Sequence, residues 1–168
     1  CSSDLSLMSY LNKFEIETSY GIKAWKRWGN TAEQIIKSNP YVLCIQGVDL
    51  SFSRADAVAA KSDIPADSEC RIKAGITYIL RQNADQGHTC LPLDSLVKTA
   101  VSYLDVDEKL IKKVIEDETE EENLYYYDKH GRRFVMLADF YKAEDYIARR
   151  LAIMRQISYC HKRSAALW

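Results

Sequence analysis

A chain of 168 residues is long enough to bury about two-thirds of its unfolded surface, as one domain or two small ones. Hydrophobic residues make up 47% and charged residues 28%, ordinary values for a soluble globular protein, and no apolar run is long enough for a transmembrane helix. A net charge of −1 leaves no global basic footprint that would mark a nucleic-acid binder by charge alone.

The chain does not open on a basic-then-apolar signal peptide. Cys1 is not preceded by an initiator methionine, so the sequence reads as a piece of a longer protein. The five cysteines, Cys1, Cys44, Cys70, Cys90 and Cys160, are odd in number, irregularly spaced and contain no C-x-x-C pair. Neither a zinc site nor a disulfide framework is expected from them, and reduced thiols in a cytoplasm fit best.

From Leu5 to Phe14 the pattern predicts a short helix, followed by Glu15-Ile16 and a second helix from Thr18 to Trp28 that Gly29 ends. Ile22, Trp25 and Trp28 recur at helical spacing and are expected to face the core. Asn30 or Thr31 is expected to cap the next helix, with Glu33 or Gln34 closing a capping box. Pro40 after Asn39 ends that helix and suits the first position of a short one reaching Cys44. The chain then reaches Gly47, and Ser51 or Ser53 is expected to cap a last helix to about Lys61. Two short helices joined by a glycine hairpin form a helix-hairpin-helix unit, and the preceding pair has the outline of another. Where such a hairpin points its backbone N–H groups outward, it can hold one DNA phosphate without reading sequence.

Asp63 to Asp67, with Pro65, is the expected boundary. A long helix follows from Ser68 to Gln86 with Ile72, Ile76, Ile79 and Leu80 on one face, stopped by Gly87. His88 to Leu91 reads as extended. Pro92 starts a helix burying Leu93, Leu96, Val97, Ala100, Val101 and Leu104, and a third helix from Asp107 to Glu118 buries Leu110, Ile111, Val114 and Ile115. Leu124–Tyr127 and Arg133–Leu137 read as strands around a turn at Asp128-Lys129-His130-Gly131. Helix, short strand, helix, helix and two-stranded wing is the order of a winged helix. Phe140 to His161 is the longest helical stretch, with Phe140, Ala143, Ile147, Leu151 and Met154 on one stripe, and Lys142 to Arg163 carries a local charge of +4. The expected fold class is therefore mainly α. Tandem helix-hairpin-helix units span residues 1–66, a winged-helix-like domain with a small β-hairpin spans 67–139, and a long connecting helix spans 140–168.

Five blocks stand in a telling order: Asn39-Pro40-Tyr41, Gly47 to Asp56, Arg71 to Ile76 (RIKAGI), Gly87-His88 with Leu91-Pro92, and Tyr141 to Leu151 (YKAEDYIARRL). Together they resemble the amino-terminal accessory region of RecD-like ATP-dependent DNA helicases, the exodeoxyribonuclease V alpha-subunit family, over roughly residues 10 to 155. The resemblance implies a parent enzyme that moves 5′ to 3′ on single-stranded DNA with ATP and Mg²⁺ in repair or recombination, through motor domains beyond Trp168. It implies DNA and those motor domains as partners, and no membrane.

A helicase motor needs a glycine loop around the phosphates followed by Lys and Ser or Thr. The six glycines, at 21, 29, 47, 75, 87 and 131, do not form that loop, so no ATP site or catalytic residue is expected in this chain. His88, His130 and His161 fall on different elements. His88 and Cys90 would share one side of a strand, too few ligands for zinc. The acidic run Glu116–Glu122 reads as a solvated loop.

Two departures from the family pattern bear on DNA binding. Asp49 stands where the pattern has the second glycine of the second hairpin, and Glu15 stands where many relatives have glycine in the first. A carboxylate at each turn repels phosphate, and its Cβ blocks close approach. The third helix, with eight acidic residues against Lys109, Lys112 and Lys113 between Asp107 and Glu122, is not expected to enter a major groove. The remaining candidates for DNA contact are Lys129, Arg132 and Arg133 at the wing tip, Gly47 and Arg54 at the second hairpin, and Lys26 and Arg27. The tip cluster is the best of these candidates for DNA contact, but an exposed turn kept soluble by charge accounts for it more readily. Two other roles stay open: a protein-interaction module using the acidic helix and Tyr125-Tyr126-Tyr127, or a winged-helix regulator of transcription.

Overall fold

The computed structural model describes the backbone of residues 2–45 and 47–165, and side chains from 6 to 155 within that span. Residues Cys1 and Trp168 and the side chains of Leu5, Cys160, His161 and Arg163 lie outside the described residues. The order is α1 (Ser2–Asn12), α2 (Thr18–Trp28), α3 (Ala32–Ser38), α4 (Phe52–Lys61), α5 (Glu69–Asp85), β1 (Cys90–Pro92), α6 (Leu93–Leu104), α7 (Glu108–Glu120), β2 (Leu124–Lys129), β3 (Arg132–Leu137) and α8 (Ala138–Ala165). Short 3-10 turns at Gly29–Thr31 and Pro40–Cys44 lead into and out of α3. The mainly α class is as expected.

α2 meets Met8 and Leu11 of α1 through its small residues rather than its large ones. Gly21 and Ala24 are the buried positions of α2, and a Cβ at Gly21 would lie 2.5 Å from Met8 Sδ. Ile22 and Trp25, expected inside, are 45% and 38% exposed. The helix crossing is so close that only the Gly/Ala edge fits against α1, which turns the larger side chains outward. The capping box expected at Thr31 does not form, since Thr31 makes no side-chain cap bond to α3. Gly29–Thr31 winds continuously into α3, Thr31 Oγ1 donates to the Trp28 carbonyl at 2.7 Å, and Glu33 instead accepts from Ser6 and Lys37. Asn39 does cap the next turn, accepting from the Tyr41 N–H at 3.1 Å with Pro40 behind it. Ser51 holds the N-cap position of α4 without a side-chain bond, so Ser53 lies inside the helix.

α5 is the central helix. Ile72, Gly75, Ile76, Ile79 and Leu80 are buried along it. At Gly75 a Cβ would lie 2.6 Å from Leu104 Cδ2, so glycine sets how closely α5 and α6 approach. The extended piece is Cys90–Pro92, shifted from His88–Leu91, because Gly87 and His88 finish the end of α5 by donating to the Ala84 and Asn83 carbonyls. His88 thus precedes the strand and does not share a face with Cys90. Pro92 ends β1, an edge strand that tolerates proline, and α6 begins one residue later than expected.

The three strands form an antiparallel sheet in the order β1-β3-β2, with Leu91 opposite Val135 and Tyr126 opposite Val135 on the other side. The turn between β2 and β3 is only His130-Gly131, both at positive φ (51° and 73°), tighter than the expected Asp128–Gly131 loop. The acidic run 116–122 is not a solvated loop. α7 continues to Glu120, and Glu118 is buried with its carboxylate 2.9 Å from Lys73 Nζ. Burial that takes in a carboxylate requires such a partner, and Lys73 supplies it across from α5. The buried apolar residues form one cluster from Leu7 to Leu137, which crosses the turn around Ala66.

Candidate nucleic-acid interface

The loop of the second hairpin alternates inward and outward. Val48 and Leu50 are buried, while Gly47 and Asp49 are exposed and both have positive φ (97° and 62°). The Asp49 N–H donates to the Ile45 carbonyl at 3.0 Å, and the Leu50 N–H to the Leu43 carbonyl at 2.9 Å. The outward Gly47 N–H, the group that could meet a phosphate, donates instead to both Asp49 carboxylate oxygens, each at 3.2 Å. The hairpin carries its own anion.

The first hairpin is closed by its backbone. Glu15 donates to Asn12 at 3.1 Å and Ile16 to Leu11 at 3.2 Å, with Glu15 left-handed at φ 57° in the position where such a helix ending favours glycine. The Lys13 and Phe14 N–H groups are likewise taken up by the α1 carbonyls of Tyr10 and Leu11.

Around the second hairpin the structure gathers cations from α2. Lys23 Nζ donates to the Val48 carbonyl at 3.3 Å, and the Arg27 guanidinium flanks Gly47. Lys23 escaped the sequence reading. Its i, i+4 spacing to Arg27 was the available signal, but only the packing of α2 under the loop makes it count. Lys26 is exposed on the same helix. Arg54, at the start of α4, sits 3.9 Å from Glu17, and both are at least half exposed, so the pair contributes little.

The β-hairpin tip is a separate cluster. Lys129 stands directly opposite Arg132, and Asp128 opposite Arg133. Arg133 Nε donates to Asp128 at 3.2 Å, and its guanidinium lies over the Tyr126 ring, 4.9 Å from the centroid. Arg133 is thus partly engaged, and the Asp128 carboxylate is paired with it rather than with a cation of the turn in any bond the structure shows. Two like charges placed opposite each other weaken a hairpin slightly. Tyr125 stacks on Tyr141 of α8 at 4.1 Å, while Tyr127 is 48% exposed.

α7 buries Ile111, Val114 and Ile115 and turns Glu108, Lys109, Lys112, Lys113, Glu116 and Glu120 outward. Lys112 is paired with Glu108 at 2.6 Å. Its open face holds no surplus of positive charge for a groove.

Several residues of the family blocks turn out to be structural. Arg71 grips Asp56 with two bonds, Nε to Oδ1 at 2.7 Å and Nη2 to Oδ2 at 3.2 Å, and its Nη1 donates to the carbonyls of Ala66 and Leu104. The Tyr41 hydroxyl donates to the same carboxylate. Burial opposes the charge on Asp56, but the bonds from Arg71 and Tyr41 outweigh it and hold the carboxyl below its usual range. Burial, reinforced by the Asp56 charge, raises the Tyr41 hydroxyl. This clamp ties α4, the 3-10 turn at Pro40–Cys44, α5 and α6 into one body.

A family model for the helix-hairpin-helix domain of the ATP-dependent RecD2 DNA helicase matches residues 3–90. The chain belongs to the RecD2 helix-hairpin-helix family. The match runs from α1 through α5 to the first residue of β1, so it contains both hairpins and the Asp56–Arg71 clamp. In this RecD2 region Gly47, Arg54, Lys26 and Arg27 lie within the matched stretch, whereas Lys129, Arg132 and Arg133 lie beyond it. Among the described residues, no group of three or more His, Cys, Asp or Glu is placed to hold a metal ion, and no helix is long and apolar enough to cross a membrane.

Proposed function

We propose that this chain is a non-catalytic accessory region of a RecD-like DNA helicase, contacting DNA weakly through the β-hairpin tip while the helix-hairpin-helix units act mainly as scaffold. Membership of the RecD2 family supports the helicase setting. The observation that carries the DNA reading is Lys129 set opposite Arg132 at an exposed two-residue turn, with Asp128 drawn off by Arg133. A hairpin that keeps two like charges at its tip is suited to an anionic partner. A three-helix, three-strand unit bearing such a wing fits a winged helix, whose wing would touch the DNA backbone. ATP and Mg²⁺ would be used by motor domains of the same enzyme, translocating 5′ to 3′ in repair or recombination in the cytoplasm. The residues present here form no phosphate loop for the nucleotide.

A second reading, docking on the motor domains, is favoured by α8. Tyr146, Ile147, Leu151, Ile153 and Met154 are each half or more exposed on that helix. The discriminating experiment is fluorescence anisotropy with single-stranded, duplex and forked DNA at low salt. Micromolar binding supports DNA contact. Absence of binding at the lowest salt points to scaffold and docking instead.

A further inference from the structure

We infer that the outer face of α2 is a stacking platform for single-stranded DNA, with one unpaired base lying on the Trp25 indole and Lys26 meeting the phosphate beside it. The inference rests on the reading above that this chain contacts DNA, and it adds a base contact to the phosphate contacts of the tip.

The packing of α2 creates this face. Gly21 and Ala24 are its buried positions, so Ile22, Trp25 and Lys26, spaced i, i+3 and i+4, share the side turned to solvent. Lys26 is exposed and makes no ion pair among the described residues. Beyond it, Lys23 and Arg27 lie toward the second hairpin. Lys23 Nζ donates to the Val48 carbonyl at 3.3 Å, and the Arg27 guanidinium lies over the Trp28 ring, 5.9 Å from the centroid. Rings and cations therefore alternate around the exposed part of one helix.

Charge and ring chemistry together select the guest. α2 carries three cations and no carboxylate, whereas each of the other α-helices has at least one Asp or Glu. Two carboxylates adjoin it in the fold, and both are engaged. Glu17, at the N-cap position, sits 3.9 Å from Arg54, and Asp49 accepts the Gly47 N–H. An anionic guest is favoured on such a face. An indole set among lysines is unlike the centre of a protein interface, from which lysine is depleted. It is the pairing on which bases stack while cations hold the backbone, whatever the sequence. Bases in a duplex are already stacked on one another, so the guest is a single strand.

The test titrates the full chain with an oligothymidylate and with an abasic strand of the same length, which keeps the phosphates and lacks the rings. Tryptophan fluorescence and anisotropy are read together. The expected result is quenching by oligothymidylate alone, assigned to Trp25 by its loss in Trp25→Phe. The abasic strand should bind at least about five-fold more weakly, as the loss of one stacked base requires. Trp25→Ala should erase that difference, and Trp25→Phe, which keeps a ring, should retain it. Polyglutamate, the acidic-protein arm, should leave the fluorescence unchanged. Lys129→Ala/Arg132→Ala should still show the quenching at saturating oligothymidylate. No binding of either strand would overturn both this inference and the DNA reading. Equal binding of the two strands, a difference that survives Trp25→Ala, or quenching by polyglutamate would overturn this inference and leave the tip contact standing.

Discussion

The Asp49 carboxylate accepts the Gly47 N–H with both oxygens, at 3.2 Å each, so the second hairpin is occupied by its own side chain. A phosphate approaching Gly47 must displace an anion already seated there. The same residue is held at φ 62°, a backbone conformation that glycine adopts freely and aspartate less so.

Asp49→Gly is therefore expected to open the hairpin. Removing one negative charge a few ångströms from a phosphate is worth about 1 kcal/mol in water, a gain of about five-fold in DNA affinity. Relief of the left-handed strain and the added freedom of the unfolded chain oppose each other, so folding stability should change by less than about 1 kcal/mol. Anisotropy titration and chemical denaturation of the variant check the two numbers separately.

The Asp56–Arg71 clamp predicts a pH dependence. The folded-state pKa of Asp56 lies below its unfolded value of about 3.9. Its stabilisation is therefore present above that unfolded value and is lost as pH falls through the lowered folded one. Asp56→Asn should remove about 2–4 kcal/mol at neutral pH, because Arg71 keeps its charge without its partner, and should flatten the acid side of the stability curve. Urea denaturation at a series of pH values reads both effects.

Gly75→Ala tests the approach of α5 to α6. The new Cβ would fall 2.6, 2.8 and 3.1 Å from three atoms of the buried Leu104 side chain. Overpacking of this kind costs about 1–3 kcal/mol, measurable as a lower denaturation midpoint with an unchanged slope. Restoration of the midpoint by a smaller residue at 104 would confirm the contact.

Helices with a clear apolar stripe were legible in the sequence. α5, α6 and α7 bury the expected Ile72, Ile76, Leu96, Leu104, Ile111 and Ile115, because large aliphatics at 3.6-residue spacing leave one way to pack. Helix ends were less legible for a specific reason. Glu15, Asp63, Asp105 and Glu122 take the left-handed conformation after α1, α4, α6 and α7, where the pattern to look for is glycine. α2 misled because its buried edge is Gly21 and Ala24, residues that hydrophobic periodicity barely registers. Glu118 was hidden in an acidic run, and only the fold brings Lys73 to it from 45 positions away in the sequence. Of the candidate DNA-contact residues, the sequence identified the exposed cations of the tip. It could not show that Arg133 is tied to Asp128, or that the exposed Asp49 carboxylate turns back on the Gly47 N–H.

The most direct test of the account is the salt dependence of forked-DNA binding for the unaltered chain and for Lys129→Ala/Arg132→Ala. The plot of log K against log salt should lose about two units of slope in the double variant, one for each phosphate contact removed, with the melting temperature unchanged. An unaltered slope in that variant, together with a loss of slope on replacing Lys26 and Arg27, would contradict the assignment and move the DNA contact to the second hairpin.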